Sequence, residues 1–120
     1  MTEKGRAMPA RATNPLETIT DATFDEKVKT GQKTVVVDFW AEWCPPCRAV
    51  EPVLEQIAAD NPDTLTILRI NADDNLESVV TYGALSLPTM KVFRGGEVVA
   101  TIVGAKSKAA LEATLAPHLG

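Results

Sequence analysis

The sequence predicts a single α/β domain built on a mixed sheet, and three observations carry that expectation. Its 120 residues fall within the roughly 100–200 that one domain usually occupies, which leaves room for one core. From Leu16 onward the hydrophobic pattern switches repeatedly between strand-like and helix-like periods, and no segment repeats. A buried-type strand, an amphipathic helix and a second buried-type strand follow one another, and a glycine-bearing hairpin comes later, so parallel and antiparallel pairs share the sheet.

The elements follow in order. Thr20 or Asp21 is expected to cap a short helix that carries Phe24 and Val28 at i, i+4 and ends at Gly31. Thr34 to Ala41 is β-branched or aromatic and apolar at nearly every position, as a central strand covered on both faces requires; Asp38 is its one anomaly. After Pro45-Pro46, the residues Val50, Val53, Leu54, Ile57 and Ala58 form one apolar stripe of a helix that stops near Asn61-Pro62. Pro52 lies inside that helix and is expected to kink it, because it removes one backbone bond. Leu65, Ile67, Leu68 and Ile70 mark a second buried strand, and Leu76 to Tyr82 a short helix with Gly83 at its end. Met90–Phe93 and Val98–Val103 flank Arg94-Gly95-Gly96-Glu97 as a hairpin, and Ser107 caps a last helix with Leu111 and Leu115 on one face.

Composition narrows the function classes. With 45% hydrophobic and 23% charged residues the chain reads as an ordinary soluble globular domain. No apolar run approaches the roughly 18–20 residues of a membrane helix, so no membrane association is expected. Twelve basic against sixteen acidic residues give a net charge of −4 with no basic cluster, which argues against nucleic acid as a partner. Residues 1–15 are poor in large apolar side chains and lack the apolar core of a secretory signal, so they are expected to be a mobile tail outside the fold, with Met8 an alternative start. Residues 16–120 would then be the domain, in the cytoplasm.

The only two cysteines stand in Trp43-Cys44-Pro45-Pro46-Cys47, between the first buried strand and the amphipathic helix. Free N–H groups and the positive dipole end in a helix's first turn stabilise a thiolate, so Cys44 is expected to attack a disulfide. Cys47 would then displace the mixed disulfide and leave a Cys44–Cys47 bridge. Proline at both intervening positions suits a first turn, where a missing N–H costs little. Three other uses compete. A structural zinc needs four ligands, and the chain offers these two cysteines and the distant His118, so only a dimer sharing its cysteines could hold one; no metal is expected. A structural disulfide would close too short a loop to restrain the unfolded chain much. Two inert buried thiols would be oddly placed at an exposed strand-to-helix junction.

Two further features surround the pair. Burial should raise the pKa of Asp38 and equip it to take a proton from Cys47, directly or through water; a structural hydrogen-bonding role near a strand end is the alternative. Trp40 and Trp43 bracket the cysteines, although either could simply fill core space.

The run Val-Asp-Phe-Trp-Ala-Glu-Trp-Cys from Val37 to Cys44, then Pro46-Cys47, Pro52, Leu87-Pro88-Thr89, Phe93 with Gly96, and Val103-Gly104-Ala105, resembles the thioredoxin family over nearly all of Leu16 to Leu119. The resemblance implies a mixed sheet of about five strands flanked by about four helices. It also implies a protein disulfide reductase with no bound cofactor, re-reduced by a flavin-containing, NADPH-dependent thioredoxin reductase and acting on disulfide-containing client proteins as a monomer. Pro88 is then expected to be a cis-proline facing the cysteines, although X–Pro statistics alone favour trans. The Leu87 backbone would be free to pair with an extended client segment. Asp38 becomes the buried family aspartate, Trp43 shapes the surface beside Cys44, and Trp40 packs under the active-site loop. Pro45, Pro46, Thr89 and Gly104 complete the expected client-binding surface, with an apolar docking patch around Trp43, Leu87 and Gly104.

Two departures from the family pattern touch the site. Pro45 stands where glycine is usual, which removes a donor and fixes φ beside Cys44. Arg69 stands where a lysine is usual; it would depress the Asp38 pKa if it reaches the carboxylate, or else it points to solvent. Trp-Cys-Pro-Pro-Cys also occurs in exported thioredoxin-like reductants of cytochrome maturation, but a missing signal and missing insertion weigh against that reading. A redox-independent binding subunit of the same fold is the rival from another class.

Overall fold

The structure, a computed structural model, describes residues 16–119, so the expected tail over residues 1–15, Met8 and the final glycine lie outside the described residues. Chain order is β1 (Glu17–Ile19), α1 (Phe24–Lys29), β2 (Thr34–Trp40), α2 (Pro45–Asp60), β3 (Leu65–Asn71), α3 (Leu76–Tyr82), β4 (Thr89–Arg94), β5 (Glu97–Val103) and α4 (Lys108–Leu115), with 3₁₀ turns at Ala72–Asp74 and Ala116–His118. The five strands form one sheet in the order β1-β3-β2-β4-β5. β1 and β2 pair parallel with β3, whereas β4 runs antiparallel to both β2 and β5.

The crossover from β1 to β2 steps across the sheet one way and that from β2 to β3 steps back. Connections of one hand therefore put α1 and α2 on opposite faces. Strand alternation sorts the side chains to match. Val36 of β2, Leu65 and Ile67 of β3, and Met90 and Val92 of β4 meet Val50, Leu54 and Ile57 of α2 and Leu111 and Leu115 of α4. Val35, Val37 and Phe39 meet α1 and α3 on the other side. There Phe24 stacks on Tyr82 at 4.8 Å between ring centroids, and Phe93 meets both rings edge-on. By the same alternation Asp38 shares the α2 face with Val36 and Trp40.

One element is added and one expectation is corrected. β1 was not foreseen from periodicity: only Ile19 of its three residues is buried, so its pairing with β3 rather than its own pattern makes it a strand. The cap of α1 is Thr23, not Thr20 or Asp21, and the helix ends at Thr30 rather than Gly31. Asp21 is drawn to α3 instead, where its carboxylate accepts from the Ser78 N–H at 2.9 Å and from the Ser78 hydroxyl. α2 runs unbroken through Pro52, Gly83 ends α3 at φ +66°, and the Ser107 hydroxyl accepts from the Ala110 N–H at 3.1 Å.

From the C-terminal end of β2 the chain leaves for β3 on one side and later returns as β4 on the other. Such a reversal of strand order opens a crevice at the carboxyl ends of parallel strands, which is where α/β sheets place their sites.

Candidate active site

Cys44 sits at that point as the N-cap of α2, and Pro45 and Pro46 occupy the first helical positions. Both prolines lack an N–H, so the first-turn donor that reaches the Cys44 sulfur is the Cys47 N–H, at 3.3 Å. The two sulfurs are bonded to each other, with the Cα atoms 5.3 Å apart. Cys44 retains 3% exposure and Cys47 none. Trp40, Ala41 and Leu87 pack against the pair.

Across from the cysteines the Leu87–Pro88 peptide is cis, and no described backbone group engages the Leu87 N–H or C=O. The Pro88 carbonyl accepts from the Gly104 N–H at 2.8 Å, which fastens the loop after β5 to the proline. Gly104 holds φ +90°, a region that side chains with a Cβ rarely adopt. Trp43 is 67% exposed, and its indole N–H donates to the Asp73 carboxylate at 2.8 Å. Leu87 and Gly104, the other members of the expected docking patch, are half-buried, and Leu85, at 88% exposure, precedes Leu87. Thr89, expected on the client-binding surface, is buried in β4 and its hydroxyl donates to the Ser86 carbonyl, so its side chain supports the loop from behind. Pro52 lies on the exposed side of α2, outside the cluster around the cysteines.

On the face of β2 that α2 covers, Asp38 is fully buried and its two carboxyl oxygens make no hydrogen bond among the described residues. Loss of water raises its pKa to about 7, opposed by the nearby Arg69 charge and assisted by that of Glu51. Arg69 faces Asp38 in register across β2 and β3, yet neither expected geometry occurs. Its side chain is 12% exposed, donates to the Glu51 carboxylate at 3.0 Å, and lays its guanidinium 4.0 Å from the centre of the Trp40 ring. Sequence reasoning missed Glu51 and Asp73. Glu51 had a signal, since it lies one turn after Cys47 on α2; Asp73 had none, because its partner is set by the fold.

Among the described residues no group of three or more His, Cys, Asp or Glu side chains is placed to hold a metal ion, and no helix is long and apolar enough to cross a membrane. Two sulfurs joined at a helix N-terminus accept two electrons on opening and return them on closing, and that chemistry is thiol–disulfide exchange. The protein is thus defined first as a thiol–disulfide oxidoreductase.

Comparison with known proteins then gives the family. The thioredoxin family model matches residues 15–117. A thioredoxin from Streptomyces clavuligerus is 50% identical over 96 residues, covering 80% of this chain and 89% of that protein. A thioredoxin from Alicyclobacillus acidocaldarius is 44% identical over 102 residues, 85% of this chain and 96% of that one. A bifunctional thioredoxin reductase/thioredoxin from Mycobacterium leprae is 48% identical over 93 residues, 78% of this chain and 20% of that protein. The chain belongs to the thioredoxin family, whose members are protein-disulfide oxidoreductases, and Cys44–Cys47 is its redox-active pair.

Proposed function

We propose that the protein reduces disulfides in client proteins and is itself re-reduced by a thioredoxin reductase using NADPH. The observation that carries this reading is the Cys44–Cys47 pair at the N-terminus of α2 with Leu87 of the cis-proline loop packed against it. In the reduced state the Cys44 thiolate, favoured by the helix dipole and the Cys47 N–H, attacks one client sulfur and the other leaves as a thiolate. Cys47 then gives its proton to Asp38 and its thiolate attacks the Cys44 sulfur. The first client sulfur departs with the electron pair of the mixed disulfide, so two electrons have moved from this protein to the client. The Leu87 N–H and C=O serve as hydrogen-bonding partners for an extended client segment, and Trp43, Pro45, Pro46 and Gly104 form the surface beside it.

The fused Mycobacterium leprae relative supports the reductase partnership, because its name joins both activities in one chain. We assign the cycle to a monomer in the cytoplasm, whose reducing poise suits a dithiol that must be regenerated, with electrons passing from NADPH through the reductase to clients.

The test is the reduction potential, followed by tryptophan fluorescence in graded thiol–disulfide buffers. The expected value is near about −270 mV, and one above about −200 mV, or no titration, would count against a general reductase. A second expectation concerns docking. Trp43→Ala removes the exposed indole without opening the core, so KM for a protein disulfide should rise about tenfold, equivalent to about 1.4 kcal/mol, with the melting temperature unchanged. Steady-state kinetics decides it; an unaltered KM would remove Trp43 from the client surface.

A further inference from the structure

The buried polar cluster between α2 and the sheet has an unusual arrangement of charges. Asp38 and Trp40 lie two residues apart on one face of β2, and Arg69 stands opposite Asp38 on β3. Neighbouring strands are about 4.8 Å apart, so an arginine in that register is within reach of the aspartate. It does not take that partner. Glu51 draws the guanidinium over the Trp40 ring, and the Arg69 Nε and both Asp38 oxygens are left without hydrogen-bond partners among the described residues.

The geometry points to Glu51 as a positioning residue of the disulfide-reducing reaction: its carboxylate holds the Arg69 guanidinium off Asp38 and leaves that carboxyl free to exchange a proton when Cys47 expels the client. The inference rests on Asp38 being the proton carrier proposed above. Glu51 is suited to the task by placement, since it lies one helical turn beyond Cys47 and its side chain is 29% exposed, so its own charge stays solvated. Of the two carboxylates Arg69 can serve, the outer one loses less hydration on pairing.

The groups that face Asp38 are few. β3 contributes Arg69 and α2 contributes Glu51, while β4, β5 and α4 present Met90, Val92, Ile102, Leu111 and Leu115 to this side of the sheet. Glu51 therefore acts on Asp38 in two ways of the same sign. It repels a second negative charge directly, and it keeps the guanidinium in an ion pair and out of hydrogen-bonding contact with Asp38, so that Arg69 acts on that carboxyl through its charge alone.

The experiment follows the Asp38 carboxyl carbon by NMR as a function of pH in the reduced full-length chain, beside the pH profile for reduction of insulin disulfides. Glu51→Gln should lower the Asp38 midpoint and the acid limb of the rate profile together by about one pH unit. Glu51→Asp, which keeps the charge, should restore both. On an Arg69→Met background Glu51→Gln should produce a much smaller shift, because there is no guanidinium left to release. An Asp38 midpoint unmoved by Glu51→Gln, or an equal shift with and without Arg69, would overturn the positioning role. Failure of the underlying functional reading looks different: Asp38→Asn would then leave the acid limb of the parent's rate profile in place, while the NMR midpoint would still report whether Glu51 controls Asp38.

Discussion

Cys44→Ser should abolish disulfide reduction, whereas Cys47→Ser should stall it one step later with the client attached. The difference follows from accessibility and from roles that cannot be exchanged. Cys44 keeps a sliver of exposed surface at the N-cap of α2, while Cys47 is sealed beneath it and can reach only the Cys44 sulfur. Serine at position 44 is not ionised near neutral pH, so the first bond to the client does not form and turnover should fall on the order of 10⁴-fold or more. Serine at position 47 leaves that first bond intact and removes the group that breaks it. NADPH consumption in a reductase-coupled assay measures the first loss. Intact-mass spectrometry under non-reducing conditions reads the second as a shift equal to one client chain. Reduction by Cys44→Ser at the parent's rate, or failure of Cys47→Ser to accumulate the adduct, would reverse the assignment of attacking and resolving cysteines.

Asp38→Asn should stabilise the protein strongly at alkaline pH and hardly at all in acid. Burial raises the Asp38 pKa from 3.8 to about 7, so between those values the folded chain holds a proton that the unfolded chain has lost. Stability from this group is therefore greatest below about pH 4, declines as the pH rises toward 7, and is level above that. Asparagine never ionises and escapes the decline. The gain should grow from near zero at pH 4 to about 4 kcal/mol at pH 8, each pH unit of the window contributing about 1.4 kcal/mol. Urea unfolding at several pH values provides the measurement. A gain independent of pH would mean that Asp38 is not ionised at a cost in the native state. The same variant should reduce disulfides about 10²-fold more slowly, since proton transfer to a positioned base is lost. A residue that costs stability and supports rate is what a site selected for chemistry is expected to contain.

The potential of the pair bears on Pro45. Where glycine would leave an N–H at the first helical position, proline leaves none, so the Cys44 thiolate depends more on the Cys47 N–H and on the dipole of α2. The difference in potential between the parent and Pro45→Gly will therefore report how much that missing donor contributes.

Much of the domain is legible in the sequence. The stripe from Val50 to Ile57, the β-branched run of β2, the glycine hairpin and the Ser107 cap each satisfy a local rule, and each forms the element that rule demands. The cysteine pair was legible for the same reason: two thiols three residues apart at the start of a helix have few other uses. Asp38 announced itself as one charge in an apolar strand. What escaped were the parts whose state depends on a distant partner. The three residues of β1 carry too little pattern to declare a strand until β3 lies beside them. Asp21 looks like a cap for the helix that follows it, but Ser78 offers it two donors from across the fold.

By itself, then, the sequence determined the α/β domain, the reactive pair and the buried carboxylate of β2, because periodicity, turn chemistry and residue spacing are local properties. Only the tertiary structure decided where the charges around that carboxylate go. Arg69 had two carboxylates within reach, and the packing of α2 over β2 and β3 set Glu51 against it while Trp40 received the guanidinium face. That choice is electrostatic and depends on burial, and burial exists only once the helix has closed over the sheet.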